Sequence, residues 1–167
     1  SKEKVELSAT ICKTDLISEI VGEFPELQGI LGGHLSYVQG FDKEIVDAVK
    51  EQYLPIGTES VVPKKPFSIT LSLADRVDTL TGFFGVNEKP SSSKDPYALR
   101  RVALGIIRIV VENKKDIKIK DLFVYASNIY LDQGFNFSND NLTKDITNFL
   151  KDRFKYYLKE KNIRHDI

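Results

Sequence analysis

The sequence is poor in residues that cross-link chains or bind metals, and it has no long apolar run. Its one cysteine, Cys12, excludes an internal disulfide and a zinc site built from several cysteines. No run of about 18 apolar residues occurs, so we expect no membrane-spanning helix. The first residues lack the basic and apolar blocks of a secretory signal. A reducing, cytoplasmic location fits this composition.

Acidic and basic residues balance overall, with 24 of each, but they are unevenly distributed. Residues 1–93 contain 9 basic and 14 acidic side chains, a net charge of −5. Residues 94–167 contain 15 basic and 10 acidic side chains, a net charge of +5. This asymmetry predicts an anionic partner for the second half. The zero total and the lack of a basic tail argue against tight nucleic-acid binding by this chain alone.

The apolar residues recur at the spacing of helices, which predicts an all-α fold. The pattern predicts helices over residues 4–23, 25–39, 43–53 and 117–131, with two more on either side of the segment 85–92. A final helix, capped by Ser138, Asn139 or Asp140, is predicted to run to about Lys161. The buried stripe of the first helix would comprise Val5, Ala9, Cys12, Leu16 and Ile20. Three glycines, Gly29, Gly32 and Gly33, fall in the second helix, where we expect them to permit close helix packing rather than to cradle a phosphate.

Two charged motifs lie near the middle of the chain. In the first, ADRVDTL, Asp75 and Asp78 are three residues apart and share a flank of a helix. The core face of that helix is predicted to comprise Ile69, Leu73, Val77, Leu80 and Phe84. In the second motif, SKDPYALRR, Ser93 or Asp95 is expected to cap a new helix with Pro96 in its first turn.

Arginines of the second motif gather on one side of its predicted helix. Arg100, Arg101 and Arg108 share an arc of roughly 100° at 100° per residue. One interpretation is an ion-pair network in which Asp75, Asp78, Arg100 and Arg101 set the packing of two helices. The other is a site that handles phosphate or metal, with arginine as a bidentate phosphate ligand.

The last predicted helix has a row of lysines opposite its apolar face. Lys144, Lys151, Lys155 and Lys159 fall within about 80° of arc. We call these four residues the lysine stripe. It is either the solvated face that every amphipathic helix has, or a surface that contacts the phosphates of RNA.

The motifs also resemble those of a known family. The stretch ADRVDTLTGFFGVNEKPSSSKDPYALRRVALGIIRIV, preceded by KTDL and VGEFPELQG, is similar to the β subunit of the bacterial α2β2 glycyl-tRNA synthetase. The resemblance covers about the first 115 residues, and the last 50 or so match more weakly but in the right order.

The resemblance implies an HD-like helical bundle over residues 1–114, truncated at its N-terminus, and the start of a helical anticodon-binding domain over residues 115–167. It implies a fragment of a longer subunit that recognises glycine tRNA and assembles with the α subunit and with the rest of β. The family attaches glycine to tRNA with ATP, and that chemistry belongs to the α subunit. We therefore expect no catalytic residues and no cofactor here. The candidate tRNA contacts are Lys94, Arg100, Arg101 and the lysine stripe.

The resemblance extends to the HD superfamily of metal phosphohydrolases, whose site needs several histidines. The two histidines here are His34 and His165, and the one His-Asp pair is His165-Asp166 at the very end. We expect neither a metal site nor hydrolase activity, because isolated terminal residues do not complete such a site. Two alternatives stay open: a degenerate phosphohydrolase that retains Asp75 and Asp78, and a purely structural module that docks other parts of the subunit.

Overall fold

The computed structural model describes residues 1–137 and 139–161, and within these ranges its regular structure is entirely helical. The α-helices are α1 Lys2–Ile11, α2 Glu19–Glu23, α3 Ile30–Val38, α4 Lys43–Glu51, α5 Pro66–Gly85, α6 Leu99–Glu112, α7 Ile119–Asp132 and α8 Leu142–Glu160. Two short 3₁₀ helices occupy Thr14–Ile17 and Pro25–Leu27. The predicted all-α class is confirmed.

The chain divides into two compact units. Unit 1 comprises Ser1–Asp75, and unit 2 comprises the described residues from Arg76 onward. The division falls inside α5, whereas the family resemblance predicts a domain boundary after residue 114. The division into compact units does not test the predicted domain boundary, which stays a prediction.

The predicted first helix, 4–23, is wrong as one element. The chain instead forms α1, a 3₁₀ turn and α2. Ser18 takes an extended conformation and its hydroxyl accepts the N–H of Ile20 at 3.1 Å, so a new helix starts there. Of the predicted stripe, Cys12 is buried and Val5 half-buried, while Ala9, Leu16 and Ile20 are exposed. The periodicity did not reveal the break because the apolar residues on either side of it, such as Leu16 and Ile20, keep helical spacing.

Close packing of α3 against α4 explains Gly32 and Gly33. The second predicted helix, 25–39, begins as a 3₁₀ turn, and Gly29 interrupts it with a φ of +79°. A Cβ atom on Gly33 would lie 2.7 Å from the Cβ of Lys50, and one on Gly32 would lie 3.1 Å from Val49. The expectation of close helix packing is confirmed for Gly32 and Gly33, whereas Gly29 lies before α3 and has a positive φ.

The prediction for the helix that carries Asp75 and Asp78 is also confirmed. The five positions assigned to its core face are all buried: Ile69, Leu73, Val77, Leu80 and Phe84. The helix continues to Gly85, where an added Cβ would lie 2.2 Å from the ring of Phe137. The small residue therefore lets an aromatic ring of the segment after α7 approach the end of α5.

In unit 2, α8 packs against α6 and α7. The core includes Ile106 and Ile109 from α6 and Ile146 from α8, each fully buried. The prediction of α7 is correct to within about two residues at each end. The pattern predicts an apolar face of Leu122, Tyr125, Ile129 and Tyr130 flanked by Val124, but the fully buried side chain is Phe123, and Tyr125 is 69% exposed. No helix of the described residues has the length and apolar character needed to span a membrane.

Candidate nucleic-acid interface

Asp75 forms an ion pair with a residue that is distant in sequence. Its carboxylate lies 2.7 Å from Nζ of Lys13, the lysine of the KTDL motif. The same ammonium donates a hydrogen bond to the hydroxyl of Tyr53 at 3.1 Å and lies 4.2 Å from the centre of that ring. Burial acts to lower the pKa of Lys13, but the hydrogen bond with Asp75 and its charge outweigh this effect, so the pKa is raised. The aspartate thus fixes the KTDL segment within unit 1.

Asp78 accepts a hydrogen bond from α7. The hydroxyl of Tyr130 donates to its carboxylate at 2.9 Å. Burial and this hydrogen bond raise the pKa of Tyr130 to about 12. The Tyr130 ring also contacts Phe135 and Phe137, at centroid distances of 5.4 and 5.2 Å. This aspartate therefore ties α5 to α7 at the edge of an aromatic cluster.

Asp95 organises the SKDPYALRR motif. Its carboxylate accepts the backbone N–H groups of Leu99 at 2.8 Å and Arg100 at 3.0 Å. It therefore caps α6 as predicted, but from a turn outside the helix. Pro96 also lies in that turn, not in the first turn of α6, because Ala98 adopts a φ of +53° immediately before the helix begins.

Arg100 closes the loop that precedes α6. Its guanidinium donates to the carbonyl oxygen of Ser91 and lies 3.8 Å from Asp95. Ser91 in turn donates its N–H to the carbonyl of Lys94 at 2.9 Å and accepts the N–H of Lys94 at 3.1 Å through its hydroxyl. The side chains of Lys94 and Arg101 remain exposed. Arg100 thus fixes the loop, which presents Lys94 to solvent, and Arg101 is exposed in the first turn of α6.

The arginine arc predicted for α6 does not form a single exposed surface. Arg108 is 6% exposed, and its Nε lies 2.7 Å from the carboxylate of Glu112 one turn later. The ion-pair interpretation joins Asp75, Asp78, Arg100 and Arg101 to one another. For three of them the structure records other contacts: Asp75 with Lys13, Asp78 with Tyr130, and Arg100 with Asp95. Two of these three partners lie more than 50 residues away along the chain, which local periodicity does not reveal.

The lysine stripe lies on the solvent-facing side of α8. All four of its side chains are exposed, while Leu142, Ile146, Leu150 and Tyr157 of the same helix are buried. None of the four ammonium groups has an ion-pair partner within 4 Å among the described residues. Because no ion pair within 4 Å holds them, these ammonium groups are available to an anionic partner, although Asp145 and Asp152 flank the stripe.

The start of α8 is attached to the loop after α5. Lys89 donates to Asp145 at 2.6 Å, and the side chain of Asn139 donates to Asp145 at 3.2 Å and to the carbonyl of Phe84 at 3.1 Å. These hydrogen bonds lower the pKa of Asp145. The α8 helix begins at Leu142 with Asn141 as its N-cap. Of the three predicted caps, Asn139 accepts the N–H of Asn141 at 3.0 Å, Asp140 is exposed, and Ser138 lies outside the described residues.

Within residues 1–137 and 139–161, no three side chains of the types His, Cys, Asp or Glu are grouped so that they could hold a metal ion. His34 is exposed on α3. The pair His165-Asp166 lies outside the described residues. Hydrolase activity has no support in these contacts, and the expectation that the chain lacks it stays a prediction.

Comparison with known proteins gives a consistent result. The whole chain, residues 1–167, matches the family model described as glycyl-tRNA synthetase beta subunit. Curated relatives named glycine–tRNA ligase beta subunit include those of Rhodospirillum centenum (42% identical over 165 residues), Ruegeria sp. (43% over 162) and Rickettsia canadensis (44% over 153). The alignments cover 99%, 97% and 92% of this chain, but 22% of each relative. The chain therefore spans about a fifth of the length of these proteins.

Proposed function

The chain belongs to the family of glycyl-tRNA synthetase beta subunits, and we propose that it is a helical part of such a subunit that contacts tRNA. The whole subunit would support the ATP-dependent attachment of glycine to tRNA in the cytoplasm. ATP would be used by a partner α subunit, and this chain would contribute neither catalytic residues nor a cofactor.

The lysine stripe carries the proposal for tRNA. Four exposed ammonium groups follow one face of a 19-residue helix, and none has an ion-pair partner among the described residues. A row of cations with this spacing suits a phosphate backbone, which presents regularly spaced negative charges. Lys94 and Arg101 are further candidates for contact with phosphate. Arg100 would act indirectly, because it holds the loop that carries Lys94.

The test is to measure the binding of glycine tRNA to this chain over a range of salt concentrations. We expect weak binding that falls as salt rises. Each phosphate contact contributes about 0.7–0.9 to the slope of log K against log salt. Replacing the four lysines of the stripe by alanine should therefore make the slope shallower by up to about 3.

The matched control removes four exposed lysines of unit 1 instead. Its substitutions are Lys2→Ala, Lys43→Ala, Lys50→Ala and Lys64→Ala. The total charge is then the same in both variants, so a difference between their slopes reports the position of the charges. Equal slopes in the two variants, or no binding at low salt, would contradict the proposal for the stripe.

A further inference from the structure

An apolar groove opens on the surface of unit 2 where α6, the start of α7 and α8 meet. Its volume is about 290 Å³. Ile107 and Leu150 form its buried part, while Val111 and Phe154 are 42% and 40% exposed. The remaining lining residues are Val110, Ile119, Lys120, Thr147 and Lys151. Apolar surface of this kind on a helical domain is expected to be covered in the assembled protein.

Two lysines stand at the edge of this groove. Lys120 comes from the first turn of α7 and Lys151 from the middle of α8, and both are exposed. Neither forms an ion pair within 4 Å in the part of the chain that the structure describes, and the lining contains no carboxylate. The groove is therefore apolar in its centre and positively charged at its edge.

This combination fits an amphipathic helix with acidic flanks. The apolar centre offers almost no hydrogen-bonding group to a nucleobase or a phosphate, so burying either there would leave polar atoms unpaired. An apolar side chain can enter the groove without leaving a polar atom unpaired. Carboxylates on either side of it would form ion pairs with Lys120 and Lys151. A helix that places apolar residues at i, i+3 and i+7 would reach along the groove.

We propose that this groove binds an acidic amphipathic helix supplied by another part of the same subunit polypeptide. The inference rests on the proposed function in one respect, that the chain is part of a longer beta subunit. The alignments support this source, because the chain corresponds to 22% of each relative and most of the polypeptide therefore lies elsewhere. A segment on the same polypeptide also acts at a high effective concentration.

Photo-crosslinking in the complete subunit tests the identity of the occupant. p-Benzoylphenylalanine replaces Val111 at the edge of the groove, and as a control it replaces Tyr125, an exposed residue of α7 that does not line the groove. We expect position 111 to crosslink to one segment of the same polypeptide in which apolar residues recur at i, i+3 and i+7 and are flanked by Asp and Glu, at a yield independent of protein concentration. Position 125 should not crosslink to that segment. A crosslink to tRNA, to an α subunit or to no segment at all would overturn the proposal.

Charge reversal at Lys120 tests the role of the groove's edge. A synthetic peptide of the crosslinked segment should bind this 167-residue chain, and Lys120→Glu should weaken that binding by about fivefold or more. Lys118→Glu makes the same charge change at an exposed residue outside the lining and should have little effect. Equal weakening in both variants would overturn the assignment. Lys151 belongs both to the lysine stripe and to the edge of the groove, whereas Lys120 belongs to the groove alone. The result for Lys120→Glu therefore does not depend on the outcome for the stripe variant, and the two proposals can fail separately.

Discussion

The two units both contain side-chain pairs, such as Lys13–Asp75 in unit 1 and Tyr130–Asp78 in unit 2, but they differ in how their helices pack. In unit 1, α3 approaches α4 through glycines, and the buried carboxylate of Asp15 holds the start of α3. In unit 2, large apolar side chains fill the core, and polar pairs such as Tyr130–Asp78 and Lys89–Asp145 join distant segments near the surface. Backbone contacts in a glycine-rich interface leave little room for adjustment, whereas exposed side-chain pairs can be lost at small cost.

The units also differ in charge and in the type of surface they expose. Residues 1–75 carry 7 basic and 12 acidic side chains, a net charge of −5, and residues 76–167 carry 17 and 12, a net charge of +5. Both units expose apolar side chains, such as Ile17 (90%) in unit 1 and Tyr125 (69%) in unit 2. The exposed lysine stripe, in contrast, lies in unit 2. The difference indicates that substitutions in unit 1 chiefly change stability, while those of exposed cations in unit 2 chiefly change binding.

The largest effect on stability is expected from Asp15→Ala. The side chain of Asp15 is fully buried, and one carboxylate oxygen accepts the N–H groups of Gly29 at 2.6 Å and Gly32 at 3.3 Å. Removing it leaves two buried donors unpaired, which should lower the free energy of unfolding by about 2–4 kcal/mol. Chemical denaturation would measure this change. Glu59→Ala, at an exposed residue of the same unit, should change it by less than about 0.5 kcal/mol, and a loss as small as this in Asp15→Ala would refute the role given to the carboxylate.

A smaller effect is expected from Gly33→Ala. The added Cβ would lie 2.7 Å from Lys50 Cβ and 3.1 Å from the carbonyl oxygen of Val46, so α3 and α4 must move apart. We expect a loss of about 1–3 kcal/mol, together with faster hydrogen exchange in both helices.

Gly22→Ala is the matched control for this substitution. No atom lies within 4 Å of a Cβ at Gly22, and the residue is helical, so alanine should leave stability unchanged or raise it by up to about 1 kcal/mol. If both alanine variants were equally stable, close approach of the two helices would not explain the glycine at position 33.

The sequence predicts helices well where one apolar face runs without interruption. The face of α5 from Ile69 to Phe84 and the position of the lysine stripe follow directly from periods of three and four residues. The break between α1 and α2 was missed because it depends on tertiary contacts of Asp15, a polar residue at a position that periodicity treats as neutral. The sequence also does not identify Phe123 as the buried residue of α7, because several apolar residues of that helix compete for the buried face.

Less of the candidate interface could be predicted. Exposure of Lys94, Arg101 and the four lysines follows from amphipathic patterns, but the partners of the two aspartates do not. Lys13 lies 62 residues before Asp75, and Tyr130 lies 52 residues after Asp78, so no local rule connects them. The sequence also does not predict that Lys120 and Lys151 line the same groove, because this depends on how α7 packs against α8.

The smallest effect concerns Tyr130, whose link to Asp78 is an example of the side-chain pairs of unit 2. Its pKa is raised to about 12 from a usual value near 10, so the phenol is favoured over the phenolate in the folded state. Its contribution to stability is therefore fully present below pH 10 and is lost as the pH rises toward 12. Titration of tyrosine absorbance should show one group near 12 that disappears in Tyr130→Phe, a variant expected to lose about 1 kcal/mol of stability.

The cause of this shift can be separated into burial and the contact with Asp78. Asp78→Asn removes the negative charge but keeps an oxygen that accepts the hydrogen bond, so the pKa of Tyr130 should fall part of the way toward 10. Tyr125→Phe, at a residue that is 69% exposed, serves as the control and should leave the group near 12 in place. If Asp78→Asn left the titration unchanged, burial and the retained hydrogen bond would hold the pKa of Tyr130 high without the charge. The charge of Asp78 would then have no part in joining α5 to α7, and the contrast between the two units would rest on how their helices pack.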